Sequence, residues 1–377
     1  MPTSNKIRVA VLYGGRSTEH EISLQSASNV IQHLDRSLFE AIPIGIDKQG
    51  TWYIGDISHE QSLQLLCDDH RQLFTPHWIG KSLVPRQASE LITRLSKNER
   101  LFDVAFPMMH GTLCEDGAIQ GLLELADVPY VGCGILGSAI GMDKDIAKRL
   151  AILSGIAVHP YRVLKYHEWI TQPQTIPEEI EKSIGYPVFV KPANTGSSVG
   201  VQKVKTASAL TKALEDAFSF DTKILIEKAI DAVELELAVL ENRTPGAEPI
   251  VSQAGEIRPR HEFYSYQAKY LDKDGAELFI PAPVSSDIQK QAQELSKNLF
   301  NVLECEGMAR VDLFLDRTTQ KIYFNEVNTI PGFTAISMYP KLMEASGIAY
   351  TDLLTHLIML AMERHGHKSR LHRHYLP

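Results

Sequence analysis

An α/β protein that becomes α+β in part, built from two or three domains, is what three observations predict. The first is length, because 377 residues exceed a single ordinary core at roughly 100 to 200 residues per domain. The second is the opening run Ile7 to Tyr13, apolar and rich in β-branched residues, which stops at Gly14-Gly15 and passes into Ser17, Thr18 and Glu19. That order reads as a buried parallel strand, a tight loop and a helix start. The third is a late pair of segments, GMARVDLFLD and KIYFNEVN, joined by a short polar turn, which read as neighbouring strands.

Composition narrows the function classes. Hydrophobic residues at 44% and charged residues at 22% are ordinary for a globular protein and argue against wholesale disorder. With 38 Lys+Arg against 46 Asp+Glu the net charge is -8, which points away from nucleic acid and toward small anionic ligands. Cys67, Cys114, Cys133 and Cys305 form no CxxC or metal-like spacing, so a reducing, cytoplasmic setting is expected. The first apolar stretch is too short for a signal-peptide core, and no uncharged apolar run reaches the roughly 18 residues of a membrane span.

The remaining elements follow in order. FEAIPIGID reads as a strand, Ser58 to Arg100 as a polar variable stretch, FDVAFP as a strand before His110-Gly111, and the residues after Asp116 as a helix through Leu125. A short strand at Tyr130-Val131-Gly132 is expected to close the first domain. A helix then carries Lys144, Lys148 and Arg149 between Asp143 and Gly155. YPVFVKP and VQKV make a hairpin with the flexible tip NTGSSVG. A helix from Ala207 to Phe218, the strand KILIEK, the strand VELELAVL, a polar and aromatic stretch from Pro259 to Ala276 and a helix near Ile288 to Leu303 lead to the late strand pair. The terminal RHGHKSRLHRHYLP reads as a solvated, poorly ordered basic end.

Three segments could carry chemistry, each with a plainer alternative. Glu19, His20 and Glu21 follow the first strand, where ligands collect in open α/β sheets, yet Thr18 could cap a helix whose positive end favours these acids. Lys191 precedes a turn of small residues whose backbone N-H groups could approach a phosphate, yet an ordinary Gly/Ser hairpin looks the same. It is no Walker A loop, because the lysine comes first. On the late strands Arg310 and Asp312 share one face, as do Glu326 and Asn328, so a guanidinium, two carboxylates and an amide oxygen can converge. Hard oxygen ligands suit Mg²⁺ and an arginine suits an oxyanion, while a structural ion pair is the alternative.

Taken together, GGRSTEHEISL, HGTLCEDGAIQG, GMDK, YPVFVKP with GSSVG, EKAIDAVELE, QAKY, GMARVD and NEVNTIPGFTAIS resemble the D-alanine-D-alanine ligase family of the ATP-grasp superfamily, in the family's order from about Lys6 to Ala361. The resemblance implies a three-domain ATP-grasp architecture: 1–132 as a parallel α/β domain, 133–227 as a central subdomain and 228–377 as a C-terminal subdomain with a mobile loop at about 259–276. It implies ATP between the last two, contacted by Lys144, Lys191, Glu227, Glu234 and Lys269. Two Mg²⁺ ions, with Mn²⁺ able to substitute, would be held by Asp312, Glu326 and Asn328. Glu19 with His110 would hold the first D-alanine's ammonium, Ser337 the second one's carboxylate, and Arg310 with the Gly332 N-H the oxyanion. Ser197 and Tyr270 would tie the covering loops to Glu19.

The implied activity is ATP-dependent D-alanyl-D-alanine synthesis through an acyl phosphate, for peptidoglycan precursors. A homodimer is implied as well. Tyr270 after Lys269 favours dipeptide formation over joining D-alanine to D-lactate or D-serine. Cys114 departs from the family's HG-x-x-GEDG loop, where a glycine is expected.

Overall fold

The computed structural model describes residues 6–55, 83–86, 101–259 and 276–372. These form three sheets. In the first, β1 (Ile7–Gly14) lies between β2 (Phe39–Ile46) and, further on, β5 (Val104–Pro107), parallel to both. β3 (Trp52–Gly55) and β4 (Leu83–Arg86) extend it antiparallel from β2, giving the order β4-β3-β2-β1-β5. Helix α1 (His20–His33) crosses from β1 to β2, and α2 (Ala118–Leu125) follows β5. The unbroken apolar run of β1 has a physical cause: both faces are buried. Val9, Val11 and Tyr13 enter one core, and Ala10 and Leu12 enter another with Trp52, Ile119 and Leu123.

Tyr130 and Val131 do not form the expected strand. A single parallel bridge joins Ala105 to Tyr130, through Ala105 N to Pro129 O and Val131 N to Ala105 O. Gly132, at φ +96°, then turns the chain out of the sheet. Helices α3 (Ile135–Met142) and α4 (Lys144–Leu153) come next. Asp143 caps α4, its carboxylate accepting from the N-H groups of Asp145 and Ile146 at 3.1 Å. Both helices precede the central sheet in sequence. The buried Ala147 and Ala151 of α4 nevertheless pack with Leu237, Val311 and Phe324, in the core beneath the third sheet.

The central sheet contains β6 (Tyr161–Lys165), β7 (Val188–Pro192), β8 (Gln202–Val204) and β9 (Lys223–Lys228) in the order β6-β9-β7-β8, all antiparallel. Helices α5 (Tyr166–Thr171), α6 (Ile176–Ser183) and α7 (Ala207–Phe218) accompany it, with Leu210, Ala213, Leu214 and Ala217 of α7 buried against the strands.

The third sheet runs β13-β12-β10-β14-β15: β10 (Ala232–Leu240), with β11 (Ile250–Val251) on its end, β12 (Gly255–Pro259), β13 (Ala276–Phe279), β14 (Met308–Asp316) and β15 (Ile322–Asn328). Between β13 and β14 lies α8 (Ser286–Val302), capped by Ser285. In the β14/β15 ladder Asp312 faces Glu326 but Leu313 faces Phe324, so Asn325 is an extra, bulged residue. The bulge decides the site. Ile322 and Phe324 point into the core, and strict alternation would send Glu326 there too; the inserted residue places Val327 in the core and turns Glu326 and Asn328 to the opposite face.

Helices α9 (Met338–Ala345) and α10 (Tyr350–Lys368) complete the fold. Tyr339, Leu342, Leu353 and Leu357 share one core with Val9, Val11 and Met308, which joins the first α/β unit to the last. The basic end differs from the expectation, since Arg364 to Lys368 belong to α10. Arg364 donates to the carbonyls of Gly132 and Tyr130 at 2.7 Å, His365 meets Asp127 at 3.0 Å and Lys368 meets Glu124 at 2.9 Å. Cations in the last turn complement the negative helix end, and here they find acidic partners on the first unit. Among the described residues no single helix is long and apolar enough to cross a membrane.

Candidate active site

A cleft of about 590 Å³ opens between the central and third sheets. Its lining includes Lys144, Lys191, Glu326, Glu234, Phe314 and His159. Lys191, on β7, is buried; its ammonium pairs with Glu227 and donates to Asn325 Oδ1 at 3.3 Å. Lys148 lies one turn beyond Lys144 on α4, wholly buried, 3.1 Å from the other Glu227 oxygen and 3.3 Å from Phe324 O. Burial alone would raise the Glu227 carboxyl, but the two lysines pull it down to about 2. Glu227 and Glu234 both line this cleft, and Glu227 additionally holds two lysines.

The hairpin tip between β7 and β8 reaches across to the first unit. Lys144 Nζ donates to Thr195 O at 2.7 Å and lies 3.3 Å from Glu326. Ser197 and Ser198 occupy the left-handed region at φ +50° and +58°, and the Ser197 hydroxyl donates to Glu19. Gly196 packs closely on Glu19: a Cβ there would come within 2.3 Å of Glu19 Oε2, so a side chain would push the Glu19 carboxylate aside. Glu19 occupies the N-cap of α1 without a side-chain capping bond. Capping therefore does not account for its carboxylate, which meets the hairpin instead.

On the third sheet Glu236, Asp312 and Glu326 lie in one cross-strand row over β10, β14 and β15. Arg310 grips Asp312 with both edges of a fork, Nε to Oδ1 and Nη2 to Oδ2, each at 2.7 Å, and its Nε lies 3.2 Å from Glu236. Burial opposes the Arg310 charge, yet Asp312 and Glu236 hold it, raising its pKa. Asn328 Nδ2 donates to Asp312 at 3.0 Å.

A second cavity of about 100 Å³ adjoins the cleft; Ser197 and Glu326 line both. Around it stand Glu19, His110, Arg310, Gly332 and Ser337. The loop after β15 is clamped from the first unit. Asn29 donates to Phe333 O at 2.7 Å, and Ser26 Oγ accepts from Phe333 N at 3.2 Å. Glu115 accepts from Ile330 N at 3.2 Å and Gly111 N at 2.7 Å. His110 Nδ1 lies 3.0 Å from Ile330 O and its Nε2 2.9 Å from Ser26 Oγ. Burial lowers the His110 pKa to about 4, so the neutral ring donates from Nδ1 and accepts at Nε2. Ser337 sits at the N-cap of α9, where the helix dipole favours an anion. Burial, then the nearby Glu19 charge, pushes the Glu115 carboxyl up to about 8.

Lys269 and Tyr270 lie outside the described residues. Cys114 is fully buried and its φ is not positive, so replacing glycine there costs no backbone strain; burial pushes the thiol up, away from nucleophilic use. Four site residues escaped sequence reading. Lys148 and Glu236 carried a signal, one at i+4 from Lys144 and the other at i+2 from Glu234, and Glu115 sits inside the quoted HGTLCEDG. Asn325 gave none, because only the bulge brings it to Lys191.

The buried histidines give the site an acid sensitivity. Burial first, and then Lys148, lowers the His159 pKa to about 4, while its ring stacks on Phe314 at 5.6 Å. An unfolded histidine takes its proton near 6.5, so stability present above that pH is lost as pH falls toward 4. His159→Phe keeps an aromatic ring and removes the titration. Melting temperature followed from pH 7 to 4 is expected to fall less in that variant than in the wild type; parallel curves would refute the assignment.

A lysine-lined cleft lies between two antiparallel sheets, opens on a carboxylate row and is bordered by a small-residue hairpin. The fold is that of the ATP-grasp ligases, as its structural neighbours show. A family model described as D-ala D-ala ligase N-terminus matches residues 8–133, and one described as D-ala D-ala ligase C-terminus matches residues 150–359. The chain is 50% identical to D-alanine–D-alanine ligase A of Bradyrhizobium diazoefficiens over 99% of both chains. Among solved structures it resembles the D-alanine-D-alanine ligase of Coxiella burnetii (36% identity, TM-score 0.80, 97% of this chain and 98% of that one). The VanG D-Ala:D-Ser ligase of Enterococcus faecalis is also similar (36% identity, TM-score 0.81, 94% and 99%). The chain belongs to the D-alanine–D-alanine ligase family.

Proposed function

We propose that this chain joins two D-alanine molecules at the expense of ATP, releasing ADP and phosphate, in peptidoglycan precursor synthesis. The observation that carries the reading is the junction of the two cavities at Glu326 and Ser197, with Arg310 bordering the smaller one. A γ-phosphate at that junction can be reached by a carboxylate in the small cavity. Lys144 and Lys191 face the phosphates, and Glu227 and Glu234 the base and ribose.

In the first step a D-alanine carboxylate attacks the γ-phosphorus and ADP leaves, giving D-alanyl phosphate. In the second the amine of another D-alanine adds to the acyl carbon, and phosphate leaves from the tetrahedral intermediate. Arg310 and the Gly332 N-H donate to its oxyanion. Glu19 holds the first ammonium, and His110, neutral and engaged at both nitrogens, acts by fixing the loop that carries Gly332. Ser337 and the α9 N-terminus take the second carboxylate. Ser197 on Glu19 closes the hairpin over the acyl phosphate, which water would otherwise hydrolyse; Tyr270 would complete that closure and Lys269 would reach the γ-phosphate.

The family depends on Mg²⁺. Asp312, Glu326 and Asn328 present only hard oxygen donors, a set that fits Mg²⁺ once Arg310 and Lys144 share their carboxylates. Two bound ions, with Mn²⁺ as a substitute, would neutralise charge on the triphosphate. A homodimer and a cytoplasmic location complete the proposal.

The test is ADP release measured with D-alanine, L-alanine, D-serine, D-lactate and no addition. Strict dependence on D-alanine is expected, because an anchored ammonium, carboxylate and oxyanion leave one enantiomer's methyl group a place to sit. Equal stimulation by L-alanine would end the assignment, and preferred mixed products with D-serine or D-lactate would shift it to the depsipeptide or D-serine type.

A further inference from the structure

Glu236 is 2% exposed, faces Asp312 across the β10/β14 ladder, and lies 3.2 Å from Arg310 Nε. A carboxylate buried this far into a sheet is costly unless a cation holds it, and here Arg310 is that cation. The arrangement is uneven. Asp312 takes two bonds from Arg310 and one from Asn328, so both its oxygens are committed to protein donors. Any metal ion that Asp312 ligates must share those oxygens, which loosens its fork with Arg310. Glu236 lies on the far side of Asp312 from Glu326 in the row, and it meets the guanidinium at Nε, the nitrogen that carries no terminal N-H₂ group.

We propose that Glu236 is a positioning residue for Arg310: it retains the guanidinium through Nε when Asp312 turns to metal, so that the terminal nitrogens stay directed at the oxyanion. The inference rests on the reading of Arg310 as oxyanion donor. Glu236 borders the small cavity beside Arg310, and in this scheme it acts on Arg310 rather than on substrate or metal.

The consequence is a split between chemistry and binding. Glu236→Gln keeps the shape of the side chain and removes its charge. Turnover is expected to fall about tenfold or more, the size of a coupling between adjacent charged groups. KM for ATP, and Mn²⁺ affinity in the presence of ADP followed by the paramagnetic signal of the free ion, are expected to stay within about twofold. Glu236→Asp, charged but shorter, is expected to be intermediate, and it carries the same test should the glutamine variant fail to fold. In an Arg310→Ala background Glu236→Gln is expected to cost nothing further in turnover, a non-additivity that a merely structural carboxylate would not produce.

Three outcomes overturn the proposal. If Mn²⁺ affinity drops and turnover recovers at saturating metal, Glu236 is a metal ligand. If the losses of Glu236→Gln and Arg310→Ala simply add, the two residues act separately. If Glu236→Gln turns over normally while Arg310→Ala is impaired, the positioning role alone fails; near-normal turnover of Arg310→Ala removes the oxyanion reading as well.

Discussion

Replacing Arg310 by alanine is expected to slow ligation about 10²- to 10³-fold, the loss that follows removal of one oxyanion donor in comparable sites. The partly buried side chain is held in a fork with Asp312, with Glu236 beside it, so its charge and direction are set before any substrate arrives. Arg310→Lys keeps the charge but has no planar fork to satisfy both Asp312 oxygens, and is expected to remain badly impaired. Nucleotide affinity should change far less than turnover in both variants, because the oxyanion exists only after amine attack. Turnover and ATP affinity measured side by side decide the matter. Near-normal turnover in both variants refutes the oxyanion role, and lost affinity with preserved turnover at saturation reassigns Arg310 to phosphate binding.

Glu326→Ala carries the second large effect, a turnover loss of at least about 10³-fold, in line with the several kcal/mol that a metal ion contributes to charge stabilisation. Glu326 stands where both cavities meet, opposite Asp312 and 3.3 Å from Lys144. Asn328→Ala should lose less, since a neutral amide oxygen is the weaker ligand. Both positions are only partly buried on the cleft face, so the thermal midpoint should move little while turnover collapses. A magnesium titration of each variant checks this. Normal turnover of Glu326→Ala at ordinary Mg²⁺ would leave the β14/β15 carboxylates a purely structural role.

Much of this was legible without coordinates, for reasons that can be named. The β1 run, the capped helix at Asp143, the Lys191 hairpin, α7 and the β14/β15 pair rest on local patterns: apolar stretches, caps, turn residues and two-residue alternation. The strand faces of Arg310 and Asp312, and of Glu326 and Asn328, came from the same alternation. Local patterns could not show the shared core of β1, β14, α9 and α10, nor that α4 packs beneath the third sheet, because both depend on contacts between distant segments. The end of α10 misled for a related reason. A basic, histidine-rich stretch looks solvated until Glu124 and Asp127 of a remote segment are seen to meet it.

The sequence by itself determined the chemistry on offer: which lysines, carboxylates and small-residue turns exist, in an order shared with one ligase family. Only the tertiary structure decided how they are spent. Glu227 became the partner of two lysines, His110 a neutral clasp on the Ile330 loop, and Glu236 a second hold on Arg310. The single inserted residue at Asn325 turned Glu326 from the core to the cleft. Side-chain alternation is a property of one strand and can be read from it, whereas a bulge is a property of two paired strands, and burial, which by itself raises the Glu227 pKa and lowers that of His110, is a property of everything packed around them.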